Sequence, residues 1–228
     1  MRSARHGLTI CAVLVLALPV LLAGLPPAPA AQSAPESRMP RHPGQPILIG
    51  DPAAPERMRL FLIYSDYAGG ARKLFLALTG YSPEYARRAV SDPVDDGRVA
   101  VELFPAYRTR ADLWVDMAAR CSSDYVAAMQ ALLVEKERWS DHPDTHGERV
   151  RVAPAEAIAA IRDILVPERM TAERFETCVY DKGMARDLLH GLALLKKQYP
   201  VTDNVAVIRG TVAEGWLNIV GLMAKTYR

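Results

Sequence analysis

Two short apolar runs, "MRLFLIYS" at residues 58–65 and "RVAVELF" at 98–104, enclose a single helix-length stretch. The first is continuous, aromatic at its end and preceded by Pro52 and Pro55, which is the pattern of a buried strand. In the second, Val99, Val101 and Leu103 alternate with Ala or more polar positions after Gly97, giving a second strand that ends before Pro105. Between them Gly69-Gly70 opens "ARKLFLALTG", where Leu74, Phe75 and Leu78 share a helical face and Gly80 stands at the stop. Strand, helix, strand with a connection of this length permits a parallel crossover pair, which a tight hairpin does not. That commits the chain to an α/β architecture.

Helical spacing then predicts helices over residues 109–120, 124–139, 155–165, 172–179 and 184–199. They are separated by the polar loop "SDHPDTHGERV", by Pro167 and by an Asp181-Lys182-Gly183 turn. The pattern returns to a β-branched strand in "NVAVIRG", closed by Gly210, with "TVAEG" as a last strand or hairpin arm and residues 216–227 as a closing helix. A compact sheet carrying a helical subdomain follows from this order. No internal repeat interrupts it.

The ends of the chain bear on where it works. Arg2, Arg5 and His6 precede an apolar run at 8–25, and the small-residue stretch Ala28-Pro29-Ala30-Ala31 comes next, so residues 1–30 read as a secretory signal peptide. The competing reading is an uncleaved membrane anchor, which would be the chain's only link to a membrane. Cys11 lies inside the run and not after it, which argues against lipid anchoring. Residues 31–46, rich in Pro and Ser, bury too little to offset chain entropy and read as a disordered tether. Removing residues 1–30 leaves 26 basic against 26 acidic side chains, and no Lys/Arg block provides the footprint of a nucleic-acid binder. The mature protein is expected to be periplasmic or secreted.

Several motifs occur in an order that resembles periplasmic DsbA-like proteins, thiol-disulfide oxidoreductases with a thioredoxin fold and an inserted helical domain. They are Gly50-Asp51-Pro52-Ala53-Ala54-Pro55, residues 60–63 with Tyr64-Ser65-Asp66-Tyr67, Val101-Glu102-Leu103-Phe104-Pro105, Ala118-Ala119-Arg120-Cys121, Phe175-Glu176-Thr177-Cys178 and the strand ending at Gly210. The resemblance covers roughly residues 47–226. It implies a thioredoxin-like domain over 47–228 with a helical insertion at about 109–199. In active members the Ser-Asp-Tyr segment leads to C-x-x-C at a helix N-terminus. Here Gly69-Gly70-Ala71-Arg72 stands there, with Gly69 and Arg72 at the cysteine positions. The chemistry needs a stabilised thiolate and a resolving thiol, and neither residue supplies one. The cis-proline that the family places before the late strand falls near Asn204, Pro200 being too far upstream, and a cis bond at a non-proline residue costs about 3 kcal/mol. A trans bond is expected.

Beyond residue 30 the chain has two cysteines, Cys121 and Cys178. An even count in an oxidising compartment suggests a disulfide, and some DsbA-like proteins are similar in carrying a structural bridge in the insertion. Buried free thiols and a functional redox pair are the alternatives. Asp141, His142, Asp144, His146 and Glu148 crowd one loop and have the donor types of a divalent-metal site, against which stands a solvated loop, the preferred reading. His42 falls in the tether, and His190, beside Leu189, reads as partly buried. Ser65 sits on no nucleophile elbow. Gly69-Gly70 with Arg72 has the makings of an anion cradle, or is a turn that tolerates positive φ.

Tyr64, Tyr67, Tyr81, Tyr85, Tyr107, Phe61, Phe75 and Phe104 concentrate aromatic surface in the thioredoxin half, most of it for the core. The expectation drawn from all this is a redox-inactive protein that binds polypeptide or an envelope partner in a groove formed by Tyr67, Gly69, Gly70, Arg72, Asp203 and Asn204. It has no cofactor and no metal. The alternative is an oxidoreductase or isomerase working through Cys121 and Cys178.

Overall fold

The structure, a computed structural model, describes residues 45–81, 87–166, 168–199 and 201–227. The expected signal peptide, most of the tether, His42, Tyr85, Pro167 and Pro200 lie outside the described residues. Among the described residues no helix is long and apolar enough to cross a membrane.

A five-stranded mixed sheet forms the centre, in the order β1-β3-β2-β6-β7. Strand β2 (Glu56–Ile63) lies parallel to β3 (Val99–Ala106), with Leu60 opposite Leu103. Helix α1 (Gly70–Leu78) and the short helix α2 (Asp92–Asp95) fall between these two strands in sequence. Strand β1 (Ile47–Ile49), which periodicity alone does not reveal, pairs antiparallel with β3. Strand β6 (Val205–Ile208) runs antiparallel to β2, and β7 (Thr211–Glu214) forms a hairpin with β6, so "TVAEG" is a strand. Contrary to expectation, β3 continues through Pro105, which pairs with Leu62. Strand β1 reaches only Leu103, so Pro105 sits where β3 has a strand neighbour on one side alone, a position that tolerates a missing donor.

The period of two along β2 sorts its side chains between two cores. Met58, Leu60 and Leu62 face the larger core with Leu74, Phe75 and Leu78 of α1. Phe61 and Ile63 face the smaller one, where Phe61 stacks on Phe104 at 5.1 Å between ring centres and Leu192 closes the layer. Leu192 belongs to α7 (Lys182–Gln198), which closes the helical insertion after α3 (Arg110–Cys121), α4 (Tyr125–Val134), α5 (Pro154–Leu165) and α6 (Ala172–Val179). Helix α8 (Trp216–Thr226) ends the described chain.

Four expectations within the insertion are corrected. The helix read over 124–139 stops at Val134 and gives way to a single turn, Lys136–Arg138. The turn expected at Asp181-Lys182-Gly183 is the start of α7, because the Asp181 carboxylate accepts the Gly183 and Met184 amides and caps it. The polar loop is a small hairpin of β4 (His142–Pro143) and β5 (Arg149–Val150), and the Asp144 carboxylate holds its tip through the His146 and Glu148 amides. His190 is exposed on α7, because it lies on the face turned away from Leu188 and Leu192.

Candidate functional site

The turn from β2 into α1 is built around Asp66. A helix start leaves amides without partners, and Gly69, at the N-cap, has no side chain to offer them. Asp66, at the start of the turn, reaches back to do so: its carboxylate accepts the Gly70 amide at 3.1 Å and the Ala71 amide at 2.9 Å. The same carboxylate accepts Asn204 Nδ2 at 2.6 Å, while Asn204 Oδ1 accepts the Ile63 amide at 2.9 Å. Lys136 Nζ donates to the Asp66 carbonyl and lies 3.9 Å from its carboxylate. Asp66, Asn204 and Lys136 are all buried. Burial lowers the Lys136 pKa below the usual lysine range by more than Asp66 and Asp112 raise it.

The two glycines serve different needs. Gly69 has φ of 71°, the left-handed region that favours glycine. At Gly70 a Cβ would stand 3.0 Å from Asp66 Oδ2 and 3.3 Å from both Asn204 Nδ2 and Trp216 Cβ, so a side chain there would push on the very groups that hold the turn. The amides that would cradle an outside anion are therefore filled from within, and Arg72, the extra donor expected for it, pairs instead with Glu137 at 3.3 Å.

A second carboxylate supports the turn from behind. Asp112, fully buried in the first turn of α3, accepts the Ser65 amide at 2.6 Å, the Ser65 hydroxyl at 2.7 Å, and the Arg108 and Thr109 amides at 3.0 and 2.8 Å. Thr109 completes a capping box with it. One helical turn further on, Asp116 accepts Tyr125 at 2.9 Å, Tyr107 at 2.7 Å and Arg120 Nε at 2.8 Å, and the hydroxyls of Tyr64 and Tyr125 meet at 2.9 Å. Burial first, then the Asp116 charge, raises the pKa of Tyr64, Tyr107 and Tyr125 well above the usual phenol value. Burial pulls Arg120 down, but Asp116 and the tyrosines more than restore it.

Two cavities flank Tyr67, which is 41% exposed. The smaller, about 390 Å³, opens at the helix start and is lined by Gly69, Arg72, Leu76, Tyr81, His142 and Trp216 among others. The larger, about 740 Å³, lies on the insertion side, between the start of α3, the hairpin and α5. Of the residues read from sequence, Tyr67, Gly69 and Arg72 meet in the smaller cavity; Gly70, Ala71 and Asn204 are buried behind it, and Asp203 is exposed but outside both linings. Asp66, Lys136 and Trp216 were not singled out by sequence.

Cys121 on α3 and Cys178 on α6 form a disulfide with Cα atoms 6.3 Å apart. Among the described residues no group of three or more His, Cys, Asp or Glu side chains is placed to hold a metal, and Asp141 is engaged by Arg149 at 2.6 Å and by the Val152 amide at 3.0 Å.

Solved structures with the same arrangement include α-DsbA1 of Wolbachia pipientis (TM-score 0.58, 15% identity, 79% of this chain and 89% of that one) and a protein-disulfide isomerase of Novosphingobium aromaticivorans (0.56, 17%, 79% and 97%). Oxidised BdbD of Bacillus subtilis is similar over 84% of this chain and 97% of its own, at TM-score 0.54 and 13% identity. The chain has the DsbA-like fold. No family model matches the sequence, and no curated protein does. Within the DsbA-like fold the inserted helices follow β3, as the resemblance implies, and the sheet resumes at β6. Among the described residues there is no cis peptide bond, so the Asp203–Asn204 bond is trans. Asn204 carries out its tethering of β2 to Asp66 with its side chain.

Proposed function

We propose that this chain is an exported protein that keeps the DsbA-like fold without its dithiol chemistry and binds polypeptide in the cavity at the start of α1. The observation that carries this reading is the occupation of the Gly70 and Ala71 amides by Asp66, at a turn where Gly69 and Arg72 stand in place of thiols. A nucleophilic thiolate depends on such free donors for stabilisation. Asp66, Asn204 and Lys136 convert the turn into a rigid, satisfied scaffold. What remains open is a cavity of about 390 Å³ whose walls include Tyr67, Leu76, Tyr81, Pro143 and Trp216, aromatic and apolar surface suited to side chains of an extended partner.

The test uses the purified chain and a permanently unfolded, alkylated polypeptide as the probe. The wild type binds it with micromolar affinity and fails to catalyse insulin reduction. Tyr67→Glu with Arg72→Glu weakens binding at least about tenfold, since a charge enters the apolar wall and another is reversed. Unchanged binding by the double variant removes the groove from consideration. Insulin reduction that Cys121→Ser abolishes would establish the competing reading, an oxidoreductase using Cys121 and Cys178.

A further inference from the structure

The larger cavity has no part in the reading above. Its walls are apolar and aromatic where Ala111, Trp114, Val152 and Ala157 line it, and its volume of about 740 Å³ lies within the range of small-molecule sites. Behind this wall the fully buried Trp139 indole is fixed by a 2.7 Å hydrogen bond to the Leu132 carbonyl, which backs the cavity with a preformed layer. The charged lining is one-sided: Arg108, Arg110 and Arg149 against Asp141. Asp141 already holds Arg149. Asp112, behind the wall, is fully engaged by Ser65, Arg108 and Thr109. Among the described residues the Arg108 guanidinium gives one bond, to the Thr202 carbonyl, and pairs with no carboxylate, and Arg110 has no hydrogen-bond or ion-pair partner.

We propose that this cavity binds a single-chain amphiphile with a carboxylate head, its chain against Trp114, Ala111 and Val152 and its head on Arg110 and Arg108. A guanidinium without a partner beside an apolar hollow suits a carboxylate that arrives with apolar surface attached, because the head forms charge-assisted hydrogen bonds at the mouth while the chain leaves water. An extended peptide suits the cavity less well. No strand of the five-stranded sheet lines it, and the backbone amides and carbonyls of a peptide buried there would lack partners.

Titration calorimetry of the full chain with dodecanoate, dodecanol and dodecylammonium, each below its micelle threshold, tests the proposal. One dodecanoate binds per chain, and dodecylammonium binds at least about tenfold more weakly, the loss expected for one charged hydrogen-bonded contact. Arg110→Glu, at an exposed position where folding is not at risk, weakens dodecanoate about tenfold and leaves dodecanol unchanged. Ala111→Trp, which fills the cavity, removes binding of both. Equal affinity for dodecanoate and dodecylammonium in the wild type overturns the proposal without any variant. So does cosedimentation with phosphatidylglycerol vesicles in the absence of dodecanoate binding, which would assign the arginines to a membrane surface.

Discussion

At the scale of the residue, the turn depends on one carboxylate that accepts two kinds of donor, helix amides and the Asn204 amide group, with the Lys136 ammonium 3.9 Å away as its ion-pair partner. Asp66→Ala removes the α1 cap and leaves Lys136 buried with only the weaker fields of Asp112 and Glu137 to offset its charge. The expected loss is about 3–5 kcal/mol in urea unfolding, the range for breaking one side of a buried pair. Asp66→Asn with Lys136→Met costs less than the sum of the single changes, because the uncompensated charge is gone. Engineering thiols back into the turn, as Gly69→Cys with Arg72→Cys, yields a cysteine 69 thiol that titrates near the ordinary value of about 8.5, because Asp66 already holds the amides. Alkylation rate against pH reads this directly, and a thiolate formed below about pH 6 would falsify the account of Asp66. Sequence offered part of this: the glycines and the missing cysteines were legible. Asp66 was hidden because it caps from four and five positions upstream, outside the usual N-cap spacing, and its partners Lys136 and Asn204 come from distant parts of the chain.

At the scale of the element, the strands with a clear period of two were legible, and those of two or three residues were not. β1, β4 and β5 exist because of what they pair with, and a window of so few residues carries no periodicity of its own. The larger cavity was invisible for the related reason that its lining comes from segments far apart in the chain: Arg110 and Trp114 on α3, Arg149 on the hairpin and Ala157 on α5. The disulfide, in contrast, could be anticipated from two cysteines on two predicted helices. It ties α3 to α6 across a sequence separation of 57 residues. Replacing both cysteines with serine is expected to cost about 4 kcal/mol in the chain-entropy account. Hydrogen exchange should speed most in α6, whose buried face is only Phe175, Cys178 and Val179, and least in β2 and β3.

For the molecule as a whole, the network of Tyr64, Tyr107, Tyr125, Asp116 and Arg120 joins the end of β2 to the inserted helices. Its pKa shifts predict a contribution to stability that is lost at alkaline pH. The three phenols are raised in the folded state, so above their unfolded value of about 10 the unfolded chain gives up protons that the folded chain keeps. Stability from these groups is complete below that pH and is lost as pH rises beyond it. Urea midpoints should therefore fall between pH 9.5 and 11, and tyrosinate absorbance from this trio should appear only with unfolding. Tyr125→Phe makes the fall shallower, having removed one of the protons. A flat profile across that interval contradicts the network's role.

The disulfide also makes residues 121–178 a closed covalent ring within the chain. The exposed hairpin tip at His146 and Gly147 lies inside that ring. A protease that cuts there leaves one covalent molecule, with the sheet and both sides of the insertion still joined through sulfur. Such a nicked chain runs as a single band until it is reduced, and then as two. Cleavage at the tip, between the two cavities, could thus alter their shared rim without releasing any part of the protein.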